Sequence, residues 1–371
     1  MRYNGIIVFL GALTLAFSAG AQSLRDSLSA DGPFILHRAD GVRIIRVDAA
    51  GNISDKQLAR LPENYRFEVT DHRGKLPFEV TLRPFERENW RIAEDARRTL
   101  VMSDPHGRLD CVVSLLQGNG VIDGDLHWSY GSDRLVVIGD IFDRGNDVTA
   151  IFWLLYKLQQ EAAEAGGSVV LFLGNHEPMV FAGDVRYAKP KYKILARELG
   201  VPYQDLMGPD SELGRWIATW NTVGVIGENL YVHGGLGKDF YDWDLPIPEV
   251  NRKMSRALFM PNKARRALSD TIAFLYGSYG PVWYRGLVMN EARRRPVAVD
   301  TLDLLRGRYG VRHIIVGHTI YRDVSTFYEG RVIDVNVDNA VNRRKRRGRA
   351  LLIEEGKYYV VGDRGKLRRI Q

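Results

Sequence analysis

Five short runs of apolar residues in this chain end abruptly in polar loops. "TLVM" (99–102) runs into Ser103-Asp104-Pro105-His106-Gly107, and "LVVI" (135–138) into Gly139-Asp140-Ile141-Phe142-Asp143-Arg144-Gly145. "SVVLFL" (168–173) gives way to Gly174-Asn175-His176-Glu177, "NLYV" (229–232) to His233-Gly234-Gly235, and "HIIV" (313–316) to Gly317-His318-Thr319. Continuous apolar runs of this length predict strands whose sheet is covered on both faces. Helical spacing fills the gaps between the first three, in "RLDCVVSLLQG" with Gly118 as its stop and in "DVTAIFWLLYKLQQEAAEAGG". Strand, helix, strand, helix, strand is the order of an α/β domain.

Before this domain the period changes. "FILHRADGVRIIRV" reads as two strands about Asp40-Gly41, and "YRFEVTDHRGKLPFEVTLR" alternates on both sides of a turn, as a hairpin does. These patterns predict a small β-rich module over 22–97 and a main domain over 98–371. Helical insertions are expected at about 182–222 and 240–295. "GRWIATW" (214–220) reads as helix packing. "GRVIDVNVD" and "RALLIEEGKYYVVGD" read as closing strands, with the basic run "RRKRRGR" (343–349) as the turn between them.

The first residues have a different character. One arginine, Arg2, precedes "IIVFLGALTLAF" (6–17), and Ala19-Gly20-Ala21 offers small residues at a cleavage site. This predicts a secretory signal peptide over 1–21 and an exported, periplasmic product. A membrane anchor is the other reading of such a run, but it is too short to span comfortably.

Composition adds little to the fold and more to the partners. The chain has 371 residues, 45% hydrophobic and 26% charged, and its seven Trp and seventeen Tyr argue against disorder. The lone cysteine, Cys111, excludes an internal disulfide and reads as a buried small residue. Formal charge is +7, part of it in the 343–349 run. That run reads as a solvated hairpin tip. If it binds, its chemistry suits an anionic envelope surface, and an exported protein meets little nucleic acid.

The five polar loops carry the chemistry. Ligands of open α/β sheets sit beyond the carboxyl ends of strands, and adjacent strands lie about 4.8 Å apart, so loops at one such edge converge on one pocket. Four of the eight histidines fall in these loops, a bias that packing does not explain. His37, His72, His127 and His313 have no partner motif and read as structural. Imidazole, carboxylate and amide oxygen suit borderline first-row ions. Asp104 and His106 are placed to share one ion, and Asp140, with two oxygens, to bridge two. Asn175, His233 and His318 are placed to complete the second site.

In these motifs the chain resembles the calcineurin-like metallophosphoesterases of the phosphoprotein phosphatase superfamily, most closely the bacterial Shewanella-like protein phosphatases. The resemblance covers roughly 98–340 and extends to "GVIDGDLHW" (120–128), "DSELGRW" (210–216) and "GPVWYRG" (280–286). It implies a four-layer α/β/β/α sandwich of two mixed sheets. It also implies two metal ions, divalent or trivalent Mn, Fe or Zn: Asp104, His106 and Asp140 would hold the first, and Asp140, Asn175, His233 and His318 the second. His176 would be the proton donor, oriented by Asp143. Arg144 and Asn175 would bind the phosphate, and Arg285 is a further candidate from the branch-specific motif. The implied activity is phosphomonoester hydrolysis, on phosphoproteins or small phosphate esters, by in-line attack of a hydroxide shared by the two ions. Two departures stand out. Ser103 replaces the usual Gly, and "HGGLG" replaces the "HGGLSP" of the eukaryotic enzymes, so their substrate preferences do not transfer. "GHT" also occurs in diadenosine tetraphosphate hydrolases, which keeps nucleotide or phosphodiester hydrolysis as the alternative.

Overall fold

The alternating segments near the N-terminus form strands β1 (Asp31–Arg38), β2 (Gly41–Val47) and β3 (Ile53–Leu58), joined as an antiparallel sheet, and the hairpin β4 (Arg66–Val69) with β5 (Phe78–Thr81). The structure is a computed structural model describing residues 28–338, 341 and 349–370. The predicted leader and most of the basic run lie outside the described residues. Among the described residues no helix is long and apolar enough to cross a membrane.

After the short β6 (Arg91–Ile92) come β7 (Arg98–Met102), helix α1 (Leu109–Gly118), β8 (Arg134–Ile138), α2 (Val148–Glu164), β9 (Ser168–Phe172) and α3 (His176–Phe181). The next segment holds α4 (Pro190–Glu198) and α5 (Glu212–Ile217), then β10 (Val223–Ile226) and β11 (Asn229–Val232). Helices α6 (Lys238–Trp243), α7 (Ile247–Ala257), α8 (Asn262–Leu268), α9 (Asp270–Leu275) and α10 (Val299–Tyr309) precede β12 (His313–Val316). The chain closes with β13 (Ser325–Phe327), β14 (Val332–Asp334), β15 (Ala350–Glu354), β16 (Lys357–Gly362) and β17 (Gly365–Arg369).

Two six-stranded mixed sheets result, in the orders β17-β16-β15-β7-β8-β9 and β13-β14-β12-β11-β10-β6. Side-chain alternation along the strands fixes how they stack. Leu100, Met102, Leu135 and Val137 share one core with Leu109, Ile151 and Leu154 of α1 and α2. Their chain neighbours Val101, Val136 and Ile138 face the other way and pack on Ile226, Tyr231, Ile315 and Ile333 of the second sheet. The far face of that sheet, with Leu230, Val232, Ile314 and Val316, packs on Val250 and Met254 of α7 and Leu302 and Leu305 of α10. Three cores between four layers give the α/β/β/α sandwich. Helix α2 is buried on all sides from Val148 to Leu158 because the N-terminal sheets cover its outer side, where Phe67 meets Trp153 edge-on at 4.8 Å.

The sequence reading needs two corrections. The five polar loops do not share one sheet edge: three follow β7, β8 and β9, and two follow β11 and β12 of the other sheet. Face-to-face stacking at about 10 Å still leaves the two edges side by side. The strands on either side of the basic run also do not form a hairpin: β14 belongs to one sheet and β15 to the other. Both strands are buried and apolar, and apolarity alone does not choose a pairing partner.

A buried carboxylate ties the loops after β8 and β9 together. Glu177, at the start of α3, has no exposure and accepts from the backbone N–H groups of Gly174 (2.7 Å), Ile141 (2.8 Å) and Asp140 (3.1 Å). Replacing it by alanine strands three buried donors. Glu177→Ala is expected to destabilise the fold by about 3 kcal/mol, read as a lower urea midpoint; an unchanged midpoint contradicts the clamp.

Candidate metal and phosphate site

The backbone at the shared edge is bent in a way side chains resist. Asp104, His106, Asp140, Asp143, Arg144 and His318 all have positive φ, between 43° and 72°. Left-handed backbone costs a non-glycine residue on the order of 1 kcal/mol and concentrates where function requires it. Glycine makes the close approach possible: a Cβ on Gly174 would lie 2.2 Å from Asp140 Oδ1, and one on Gly139 would lie 2.1 Å from Gly174 N. Ser103, the departure in the first motif, uses its hydroxyl to donate to Ile138 O at 2.9 Å.

Asp140 stands at the centre. Its Oδ1 accepts the His176 amide at 2.8 Å. Its Oδ2 lies 3.2 Å from His233 Nε2 and 3.8 Å from both His106 Nε2 and His176 Nε2. Two groups of potential ligand atoms therefore share it: His106, Asp140 and His176, and Asp140, His233 and His318, each group within 4.8 Å. Asn175 Oδ1 is 3.1 Å from His233 Nε2. Asp104 falls in neither group of three; its carboxylate accepts from His318 N at 3.1 Å and stands 3.8 Å from His233 Nδ1.

The imidazoles are aimed by carbonyls. His106 Nδ1 bonds Phe142 O at 2.7 Å and His233 Nδ1 bonds Ile138 O at 2.7 Å, which turns both Nε2 atoms toward Asp140. His318 Nε2 is buried with no hydrogen-bond partner among the described residues.

Burial sets the electrostatics. It lifts the Asp104 carboxyl to about 7, against the opposing pull of His233. It pushes His106 down to about 3 and His318 well below the ordinary imidazole value. Burial also opposes charge on His233, but the Asp140 and Asp104 carboxylates outweigh it and hold that ring at about 9. His106 and His318, neutral and with free lone pairs beside buried carboxylates, suit first-row cations, and a bound cation would displace the His233 proton. The orphaned His318 nitrogen fits such an occupant.

His176 is held differently. Its Nδ1 meets Asp143 Oδ2 at 2.5 Å, and its Nε2 lies 3.4 Å from Arg144 Nη2. Burial opposes its charge, yet Asp140 and Asp143 together raise its pKa. Arg285 reaches the edge from the 240–295 segment, donating to His318 O (3.1 Å) and Thr319 Oγ1 (2.9 Å). A cleft of about 1080 Å³ opens over these groups, lined by His106, Asp140, Arg144, Asn175, His176, Arg285 and His318. The structure thus brings every predicted site residue together where the two sheet edges lie side by side. Sequence reasoning gave no role to Glu177; the signal was an acid directly after a candidate ligand. It also passed over Tyr187, whose carbonyl accepts the Arg144 amide at 3.0 Å and whose half-exposed ring lies 5.6 Å from that of His176.

The other four histidines are structural. His37 pairs with Glu212, His72 with Asp147 and His127 with Glu161, while His313 bonds Gly330 O.

Comparison with known proteins agrees with this geometry. The sequence profile of calcineurin-like phosphoesterases matches residues 97–322. Shewanella-like protein phosphatase 2 of Arabidopsis thaliana is 28% identical over 269 residues, covering 61% of this chain and 67% of its own. Shewanella-like protein phosphatase 1 of Plasmodium berghei is 24% identical over 224 residues, covering 60% and 61%. The crystal structure of a cold-active protein-tyrosine phosphatase of a psychrophilic Shewanella sp. has a TM-score of 0.82 at 29% identity, over 92% of this chain and 99% of that one. The family uses a dinuclear metal site, and the two ligand groups meeting at Asp140 suit one. With its fold, its edge-on cage and the profile over most of its main domain in agreement, this chain belongs to the calcineurin-like phosphoesterase family and is a metal-dependent phosphoric ester hydrolase.

Proposed function

We propose that the chain is an exported phosphomonoesterase acting on phosphoproteins, with two first-row ions (Mn, Fe or Zn). The observation that carries the reading is the pairing of an oriented acid with two arginines over one cage. A phosphate monoester is a dianion at neutral pH, and Arg144 and Arg285 offer forked donors to its oxygens. His176, raised in pKa and fixed by Asp143, is suited to hold a proton for the leaving oxygen. Asp104, His106 and Asp140 would hold one ion, and Asp140, Asn175, His233 and His318 the other. When bound, the ions supply Lewis acidity that draws charge from the phosphoryl oxygens and acidifies a water. Walls from the 182–222 and 240–295 segments, including Tyr187, Tyr276 and Trp283, give the cleft room beyond a phosphoryl group.

Export rests on the 1–21 pattern, and the 343–349 run would then meet the anionic envelope. Fractionation of cells expressing the full chain is expected to place a shortened product outside the cytoplasm. A full-length cytoplasmic product contradicts export.

Assaying the metal-reconstituted enzyme on phosphopeptides, p-nitrophenyl phosphate, bis-p-nitrophenyl phosphate and diadenosine tetraphosphate tests the substrate class. The monoesters are expected to turn over fastest; preference for the diester or the dinucleotide overturns the reading. His176→Asn is expected to keep its metal and lose about 10²- to 10⁴-fold in turnover of alkyl phosphates. Aryl phosphates should lose less, because their leaving groups need less protonation. Loss of metal in this variant would make His176 a ligand instead. Asp140→Asn is expected to lower metal content, which elemental analysis measures; full occupancy contradicts the bridge.

A further inference from the structure

The cleft carries more positive charge than one phosphoryl group needs. Beyond Arg144 and Arg285 it is lined by Arg186, Arg265 and Arg266. Among the described residues its only lining carboxylate outside the cage is Asp184, which Arg186 already grips at 2.7 and 2.8 Å.

Arg265 and Arg266 are neighbours on α8 with opposite fates. Arg265 is 2% exposed, and its guanidinium donates to the carbonyls of Ala257 (3.0 Å), Pro178 (2.9 Å) and Leu258 and to Asn262 Oδ1 (3.1 Å). No carboxylate among the described residues pairs with it. Burial lowers its pKa, but a guanidinium stays charged at neutral pH. A buried cation balanced by dipoles alone projects its field into the adjoining cleft. Arg266 turns outward and forms no ion pair with an acid among the described residues.

A small phosphate ester is served by Arg144 and Arg285, so the surplus answers to charge elsewhere on the substrate. We propose that Arg266, with Arg186 and Arg265 lining the same cleft, selects phosphopeptides carrying acidic residues next to the phosphorylated one. The inference rests on the phosphoprotein reading above. The wall draws the acidic flank in and sets KM, while the cage and His176 set the chemical step.

The test uses the metal-reconstituted full chain, three phosphopeptides of equal length flanked by Asp/Glu, Ala or Lys, and p-nitrophenyl phosphate. The acidic peptide is expected to exceed the alanine peptide about three- to tenfold in kcat/KM, through KM, with the gap closing as salt rises. Arg266→Glu is expected to remove or invert the ranking and Arg266→Lys to keep it. Both variants should hydrolyse p-nitrophenyl phosphate like the parent, since that ester does not extend to the wall. Equal rates for the three peptides, or a ranking that survives Arg266→Glu combined with Arg186→Ala, overturns the inference and leaves the phosphoprotein reading standing. Turnover of p-nitrophenyl phosphate with none of any peptide overturns that reading, and this inference with it.

Discussion

The Asp140 carboxylate, sealed from water and ringed by three imidazoles, is the constraint on which this molecule depends. Burial alone would neutralise it, but His233 and His176 hold its pKa well below the ordinary carboxylate value. A charge kept in a low-dielectric setting needs partners at fixed positions, because removing any one leaves the rest uncompensated. Those partners come from loops after β9, β11 and, through His106, β7. The loops have to arrive together, and the two stacked sheets make them do so.

Holding them there requires backbone that ordinary residues avoid. Asp104, Asp140 and His318 are bent into positive φ, and Gly139 and Gly174 are stripped of side chains so that two loops nearly touch. Local preference favours none of this. The opposing force is the set of buried hydrogen bonds behind the ligands, with Glu177 spanning two loops and carbonyls of Phe142 and Ile138 fixing two rings. Site geometry therefore rests on hydrogen bonds that tie the loops to one another and, through Ile138, to a strand end.

Much of this was legible in the chain because apolar runs and their polar ends are local signals. The strands β7, β8, β9, β11 and β12 and every candidate ligand were readable from such runs. What escaped was pairing. Nothing in "VIDV" or "ALLIE" says that one joins the second sheet and the other the first, since both are buried and apolar. Burial of charge escaped too. In "KARRAL" two adjacent arginines look alike, yet the helical turn sends one into the protein and the other to solvent. Glu177 had no assigned role in the chain; only the folded loops reveal its three donors.

The N-terminal sheets belong to this support more closely than a separate module would. The segment directly after Arg144 is gripped from their side: Asp147 accepts from His72 N (2.6 Å) and pairs with its ring at 2.8 Å. Lys191 bridges Asn146 O (2.8 Å), Ala30 O (2.9 Å) and Asp31 (3.2 Å). Trp153, buried in α2, donates to Pro33 O at 3.0 Å. These bonds fix the C-terminal end of the stretch that carries Asp143 and Arg144, the residues proposed to orient the acid and bind the phosphate. The sheets thus sit on the far side of α2 from the cage and still act on it, because the helix they cover begins where that loop stops.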